Sequence, residues 1–469
     1  MVLTILILNQ SSNTLKKYAK AIPTRMRKNE FFNSFFRFYS KIGEANRPMD
    51  SINHYGNVAI IGPTGSGKST LIGAVKHDVL DDGNGSARRL TTNYKHELED
   101  GTTTSINTVY LSKEDNLITL VDLAGSDCYL KTTIRGLVNY VPKFSIITVN
   151  VDINLVNEFS SVRRLINICS NIRVPFAVCL TKIDLNTSRQ QLSQLISAIR
   201  QCCKDNQIRH LITVDSTSNQ SILDNFTHCL NVVPLITLSA KNGIGLDYFK
   251  QFLFEMCQHS PPKSRPNQNR LFYIHKPYYK DDRWIVYGEN CGAPIRLGDK
   301  LHLGPIYGKY YNVEIKSMHD DAESLIDTIE TGVVGCLSVE IDGTYEFKKR
   351  HFYGGKVVTD NNQLVAFKKI KVKLEVTNGH GSITIKKGYQ PTYIWQHIFA
   401  SCRIERINEV TKTTRKFTNN DLCLSSGDHG TATIVFDHSQ YINNVDSERN
   451  IIIYDGTVRC YGKLVEILE

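Results

Sequence analysis

At 469 residues the chain is too long for a single hydrophobic core, and roughly two to four domains are expected. Hydrophobic residues at 41% and charged residues at 22% are ordinary for a globular protein, and no apolar run approaches the ~20 residues of a helical membrane span. The formal net charge is +10, of which residues 1–50, with nine Lys/Arg against three Asp/Glu, supply +6, so a basic partner surface is expected there first.

The N-terminal apolar run Val2–Leu8 is too short for a signal-peptide core with its usual basic flank. The twelve cysteines contain no C-x-x-C pair and read as reduced thiols, which fits a cytoplasmic protein better than a zinc or disulfide framework. Residues 1–50 read as an extension, with a basic stretch of Lys16, Lys17, Lys20, Arg25, Arg27 and Lys28 followed by Phe31, Phe32, Phe35, Phe36, Phe38 and Tyr39. The spacing of Phe31, Phe32, Phe35 and Phe36 puts four rings on one helical face. Three readings stay open for this segment: a helix docked on the domain behind it, an arm that contacts RNA or membrane, and a mitochondrial presequence.

From residue 51 to 257 short apolar runs alternate with helical patterns. The runs are Val58–Ile61, Asn107–Leu111, Leu117–Val121, Ser145–Val151, Phe176–Leu180 and Val233–Leu238, with helices expected over Leu155–Cys169, Ser188–Cys203 and Leu246–Cys257. This alternation predicts an α/β domain with a mostly parallel, doubly wound sheet. Ligands of such sheets bind at the carboxyl ends of the strands, so the residues just after each run carry the argument.

After the first run stands Gly62-Pro63-Thr64-Gly65-Ser66-Gly67-Lys68-Ser69-Thr70, which has the form G-x-x-x-x-G-K-[ST] of a phosphate-binding P-loop. Its glycines let backbone N–H groups approach phosphate oxygens, and the helix N-terminus behind it favours negative charge. Lys68 would reach the outer phosphates and the Ser69 hydroxyl would bind Mg²⁺. After the third run comes Asp122-Leu123-Ala124-Gly125, whose carboxylate can hold the Mg²⁺ shell and whose glycine N–H can sense a γ-phosphate. After the fifth comes Thr181-Lys182-Ile183-Asp184. There Asp184 can accept hydrogen bonds from guanine N1 and N2, donors that adenine lacks, while the Lys182 stem covers the base. After the sixth comes Ser239-Ala240-Lys241, which would present a backbone N–H to guanine O6. D-x-x-G alone is nearly uninformative. Four blocks in this order, roughly 60 residues apart and each at a strand end, turn a generic nucleotide site into one for GTP and GDP and argue against an ATPase.

Residues 258–270, QHSPPKSRPNQNR, form a Pro-rich polar linker. Beyond it, short β-rich runs punctuated by Gly and Asp predict a β-barrel over 271–360 and a second over 361–469.

These residues resemble a family. The stretches Lys68–Leu90 with Lys95–Ser105, Asp122–Thr133, and Pro294–Pro305 with Lys316-Ser317-Met318-His319 are similar to translational GTPases of the elongation factor Tu / elongation factor 1-alpha class, and most similar to its GTP-binding protein 1 and 2 branch. Heavy use of Asn, Ile, Lys and Tyr is also what AT-rich genomes produce, those of some large viruses among them. The resemblance covers about residues 57–469 and implies a P-loop G domain followed by two β-barrels, acting as a monomer on ribosome, tRNA or other RNA. It also implies that Thr103 completes the Mg²⁺ site with Ser69 and Asp122 in the GTP state; the residues alone leave open a solvated polar loop residue at Thr103. Two positions depart from the family. Ser126 stands where the family has the histidine that orients the attacking water, and Gly65 stands where it usually has an acidic residue. Both belong to hydrolysis, so two functions are expected: a GTPase with slow turnover, with Ser126 in the catalytic position, or a GTP-binding module that hydrolyses little or nothing. The strand pair around Asp282–Gly288 also departs from the family's glycine-rich pattern, which puts aminoacyl-end binding in doubt.

Overall fold

The computed structural model describes residues 53–468, leaving out 93–94, 114–115, 141, 186–187, 209, 215–225, 227–230, 260–268, 281, 321–324, 332, 344, 353–355, 362–365, 378–383, 396–397, 413–421 and 442–449. The basic and aromatic segment expected at 1–50, and most of the linker expected at 258–270, lie outside the described residues.

The first part of the chain folds around one seven-stranded sheet. In chain order its elements are β1 (Asn53–Ile61), α1 (Lys68–His77), the short α2 (Ser86–Arg89) and α3 (Lys95–Asp100), β2 (Asn107–Lys113), β3 (Asn116–Asp122), α4 (Leu130–Asn139), β4 (Phe144–Asn150), α5 (Phe159–Asn171), β5 (Phe176–Thr181), α6 (Arg189–Asp205), β6 (His210–Thr213), β7 (Val232–Thr237) and α7 (Leu246–His259). The strand order is β2-β3-β1-β4-β5-β7-β6. The pairs β1–β4, β4–β5, β5–β7 and β6–β7 are parallel, and β2–β3 is an antiparallel hairpin at one edge. The central strands are nearly continuous apolar runs because both their faces are covered. Ala59 and Ile61 pack with α4, α5 and α6, while Val58 and Ile60 pack with α1 and α7. That period-two split of one strand between two cores makes the sheet doubly wound.

One difference from the sequence reading has a local cause. The helix expected from Leu155 begins at Phe159 instead, because the Asn154 side chain accepts from the backbone N–H groups of Val156 and Asn157 and holds a turn there. Helix α6 starts where expected, with Ser188 and Gln191 forming a reciprocal capping box.

Two β-barrels follow. The first is built from β8 (Leu271–Lys280), β9 (Arg283–Asn290), β10 (Ile295–Arg296), β11 (Lys300–Ile306), β12 (Lys309–Asp320), β13 (Leu325–Ile326), β14 (Thr328–Ile329), β15 (Val334–Ile341) and β16 (Val357–Thr359). Its sheet runs β11-β16-β8-β9-β15-β12-β13 and closes through β11–β12. His275 on β8 is buried in this barrel with neither ring nitrogen hydrogen-bonded, and burial lowers its pKa to about 4. The second barrel is closed in the order β17 (Ala366–Val376), β20 (His429–Tyr441), β19 (Ile398–Lys412), β18 (Thr392–Trp395), β21 (Ile451–Asp455), β22 (Thr457–Ile467).

The barrels touch the sheet domain through defined contacts. Ile394, Ile452, Tyr454 and Val458 of the second barrel join the same core as α4 and α5. Lys131 and Arg135 of α4 stand over the Phe399 ring at 5.5 and 5.9 Å, and Asn450 donates to Asn171 at 3.0 Å. Tyr140, at the end of α4, meets Tyr287 of the first barrel with ring centroids 6.1 Å apart. Among the described residues no helix is long and apolar enough to cross a membrane.

The α7 face of the sheet is sealed by Phe144, Phe226 and Phe252, whose rings meet at 5.6 to 6.2 Å. Phe252→Ala is expected to cost about 3–5 kcal/mol through the cavity it leaves, whereas the exposed Val465→Ala should stay within about 0.5 kcal/mol. Urea unfolding followed by fluorescence and circular dichroism checks this, and equal midpoints for the two variants would contradict the packing described.

Candidate functional site

The four sequence blocks converge at the carboxyl end of the sheet. The loop Gly62–Gly67 leaves β1 and enters α1, with Gly65 and Gly67 in the left-handed region at φ 77° and 85°. Gly62 is required by closeness as well: a Cβ there would stand 2.4 Å from the carbonyl oxygen of Thr148, at the end of β4. The loop is pinned from behind by two hydroxyls that the motif does not predict. Ser66 and Thr148 share a hydrogen bond of 2.7 Å, and Thr181 donates to the Ser66 carbonyl at 2.7 Å. Thr181 thus ties the phosphate loop to the block that carries Asp184, although many G domains have Asn at this place.

Lys68 is almost fully buried and donates to the carbonyls of Gly62 and Pro63, both at 2.9 Å. Burial lowers its pKa to about 8, against the pull of the Asp122 carboxylate. Asp122 closes β3, and burial raises it to about 6, against the opposing effect of Lys68 and the hydrogen bond from Ser69. Gly125 passes so close to Lys68 that a Cβ would meet the Nζ at 2.3 Å.

The three residues expected at a metal stand together. Ser69 donates to Asp122 Oδ2 at 2.6 Å, and its Oγ lies 3.0 Å from Thr103 Oγ1. The other carboxylate oxygen, Asp122 Oδ1, is buried with no hydrogen-bond partner. A carboxylate with an unused oxygen and two hydroxyls form a hard oxygen-donor set, which fits Mg²⁺.

At the base end, Asp184 Oδ1 accepts from Ser239 Oγ at 2.5 Å. Ser239 is fully buried, and its Oγ also accepts from the backbone N–H groups of Lys241 at 3.3 Å and Asn242 at 3.1 Å. One serine therefore fixes the carboxylate and the following turn at once. Lys182 holds a left-handed backbone at φ 60°, which carries Ile183 back to the Leu238 carbonyl at 3.4 Å. The segment after α1 closes the other side, with Asp81 N–H donating to the Ala240 carbonyl at 2.9 Å.

Ser126 follows Gly125 at the entry to a short 3₁₀ turn and lines a small hollow with Gly62, Asp127, Thr133, Ser161 and Arg164. Asp127 is paired with Arg164 at 2.9 Å. Leu123 and Ala124 are buried, with Thr133 of α4 donating to the Ala124 carbonyl at 2.7 Å. Pro63, Thr64 and Thr70 lie at least partly exposed on the loop and the first turn of α1. Two further residues that the motifs do not mark approach this site. Arg88 on α2 bears electrostatically on both Lys68 and Asp122, and Glu97 on α3 is buried against the loop that carries Thr103.

The comparisons agree with this geometry. Residues 53–262 match the model of the elongation factor Tu GTP binding domain. GTP-binding protein 1 of Xenopus laevis is 28% identical over 291 residues, which is 56% of this chain and 43% of that protein. GTP-binding protein 2 of Homo sapiens is 29% identical over 278 residues, 53% of this chain and 45% of that protein, so the chain spans under half the length of these relatives in the matched regions. Among solved structures, the translation elongation factor SelB of Methanococcus maripaludis with a GTP analogue covers 88% of this chain and 79% of its own, with a TM-score of 0.58 at 15% identity. The GTPase-like domain of Ski7 from S. cerevisiae, bound to GTP, covers 88% of this chain and 98% of its own, with a TM-score of 0.65 at 14% identity. The chain has the fold of a G domain followed by two β-barrels, and over residues 53–262 it is similar to the GTP binding domain of elongation factor Tu.

Proposed function

We propose that the protein is a factor that binds GTP and GDP with Mg²⁺ at the end of the sheet, hydrolyses GTP slowly, and acts on the ribosome, tRNA or another RNA. The observation that carries the nucleotide part is the pairing of Asp184 with buried Ser239 at the same sheet end as Lys68, Ser69 and Asp122. In this reading the N–H groups of Gly62–Thr70 cradle the phosphates, and Lys68 exchanges its two carbonyl partners for phosphate oxygens. Ser69, Thr103 and Asp122 would hold the metal. Mg²⁺ bound there would supply neutralising charge to the β- and γ-phosphates. Asp184 would accept from guanine N1 and N2, held in place by Ser239. Leu123, Ala124 and Gly125 would bring a backbone N–H to the γ-phosphate. The ribosome or RNA part rests on likeness: SelB is a translation elongation factor.

Slow turnover is proposed from Ser126 and Gly65. A serine hydroxyl is shorter than an imidazole and cannot become a cation near neutral pH. Gly65 leaves no charged side chain beside the phosphates. A second reading, a GTP-binding module without hydrolysis, is favoured by the same two positions.

Base choice tests the nucleotide reading. A site that hydrogen-bonds guanine in this way is expected to prefer GTP over ATP by about 10⁴–10⁵. Asp184→Asn should weaken GTP and improve xanthosine triphosphate binding in equilibrium titrations. Equal affinity of the natural protein for ATP and GTP would sink the reading.

Turnover tests the catalytic part. Loss of one positioned proton-handling group slows a reaction by about 10²–10⁴. Single-turnover hydrolysis, with and without ribosomes, should therefore be slow in the natural protein and rise in Ser126→His, then again on adding Gly65→Asp. Space at position 65 is open, but its φ of 77° means the added aspartate carries some backbone strain. Lys68→Ala is the blank and should lose triphosphate binding. Fast ribosome-stimulated turnover in the natural protein, with no gain from either change, would show that another residue positions the water.

A further inference from the structure

We propose that Glu97 is a positioning residue that holds the Gly101–Ser105 loop so that Thr103 faces Ser69 and Asp122. The inference rests on the Mg²⁺ site proposed above and adds a residue that no motif in the chain marks.

Glu97 sits in the middle of α3 and is only 3% exposed, unusual for a carboxylate. Its Oε1 accepts four hydrogen bonds from the far side of the loop. Thr104 gives its backbone N–H and its Oγ1, both at 2.8 Å, and Ser105 gives its backbone N–H at 3.1 Å and its Oγ at 3.0 Å. Burial pushes the carboxyl up, but these four donors outweigh burial and hold it below its ordinary range.

The near side of the loop is fixed by another element. Arg88 on α2 donates through Nη2 to the Glu97 carbonyl at 3.1 Å and through Nη1 to the Gly101 carbonyl. Gly101 turns the chain out of α3 at φ 69°. Thr103 is thus confined between Gly101, tied to Arg88, and Thr104, tied to Glu97. Its Oγ1 ends 3.0 Å from Ser69 Oγ. Without the carboxylate, the four donors of Thr104 and Ser105 lose their common acceptor on α3.

The test is a double-mutant cycle of Glu97 and Thr103. It is read by Mg²⁺-dependent binding of a non-hydrolysable GTP analogue and of GDP to the full chain. Thr103→Ala should weaken the analogue in Mg²⁺ more than GDP. Glu97→Ala should do the same by about tenfold, the scale of one lost hydrogen-bonding arrangement, with GDP changed less than about threefold. The double variant should be no weaker than Thr103→Ala, because the two residues act through one contact. Glu97→Gln, which keeps an acceptor oxygen, should fall between the natural protein and Glu97→Ala, and it carries the cycle if the alanine variant does not fold.

Additive effects, or equal weakening of GDP and the analogue by Glu97→Ala, would overturn the role of Glu97 while leaving the Mg²⁺ site standing. A Thr103→Ala variant with unchanged Mg²⁺ dependence would overturn the Mg²⁺ site, and the inference with it.

Discussion

Asp122 is a carboxylate at the buried end of a parallel sheet, 3% exposed, with Lys68 beside it and one oxygen held by Ser69 at 2.6 Å. Burying two such charges costs free energy that the fold alone does not return. Much of the surrounding architecture follows from keeping them there. The glycines at 62 and 125 are places where a Cβ would collide with Thr148 or with the Lys68 ammonium. Thr148 and Thr181 brace the loop from strands β4 and β5, so three neighbouring strands, β1, β4 and β5, hold it. Opposite charges fixed at one buried strand end make a preorganised electrostatic environment.

The same strand end is mechanically joined to the barrels. Leu123 packs against Gly136 of α4, where a Cβ would stand 2.3 Å from its Cδ2. Leu137 of α4 then shares a core with Ile394, Ile452 and Tyr454 of the second barrel, and Tyr140 at the end of α4 meets Tyr287 of the first. Cores of this density transmit displacement instead of absorbing it. The helix after the D-x-x-G block therefore packs on that block and on both barrels.

What could be read in the sequence divides along a physical line. The P-loop, Asp122, Asp184 and Ser239 were legible because backbone approach to phosphate demands glycine at fixed spacing and because strand ends are visible as apolar runs. The two barrels were legible from alternation and turn residues, with boundaries blurred by the long strands β12 and β19. Helix α4 was passed over: Thr132, Thr133 and Gly136 lower its propensity, but Leu130, Ile134 and Leu137 at i, i+4 and i+7 form the face that is buried. Thr148 looked like one more residue of an apolar strand. Glu97 and Arg88 lay in a polar stretch with no period, and their roles depend on where a loop returns in space, which no spacing along the chain encodes.

His275 gives the first barrel a weakness in acid. Its imidazole is sealed in the first barrel with no partner for either nitrogen, so its folded pKa of about 4 lies below the ordinary value of 6.5. An unfolded chain takes up that proton more readily than the folded one, so the folded state loses ground as pH falls from 6.5 towards 4 and gains nothing from this group above it. Acidification therefore weakens the fold through a ring on β8 whose centroid lies 6.4 Å from that of Tyr287, which in turn meets Tyr140 at the end of α4.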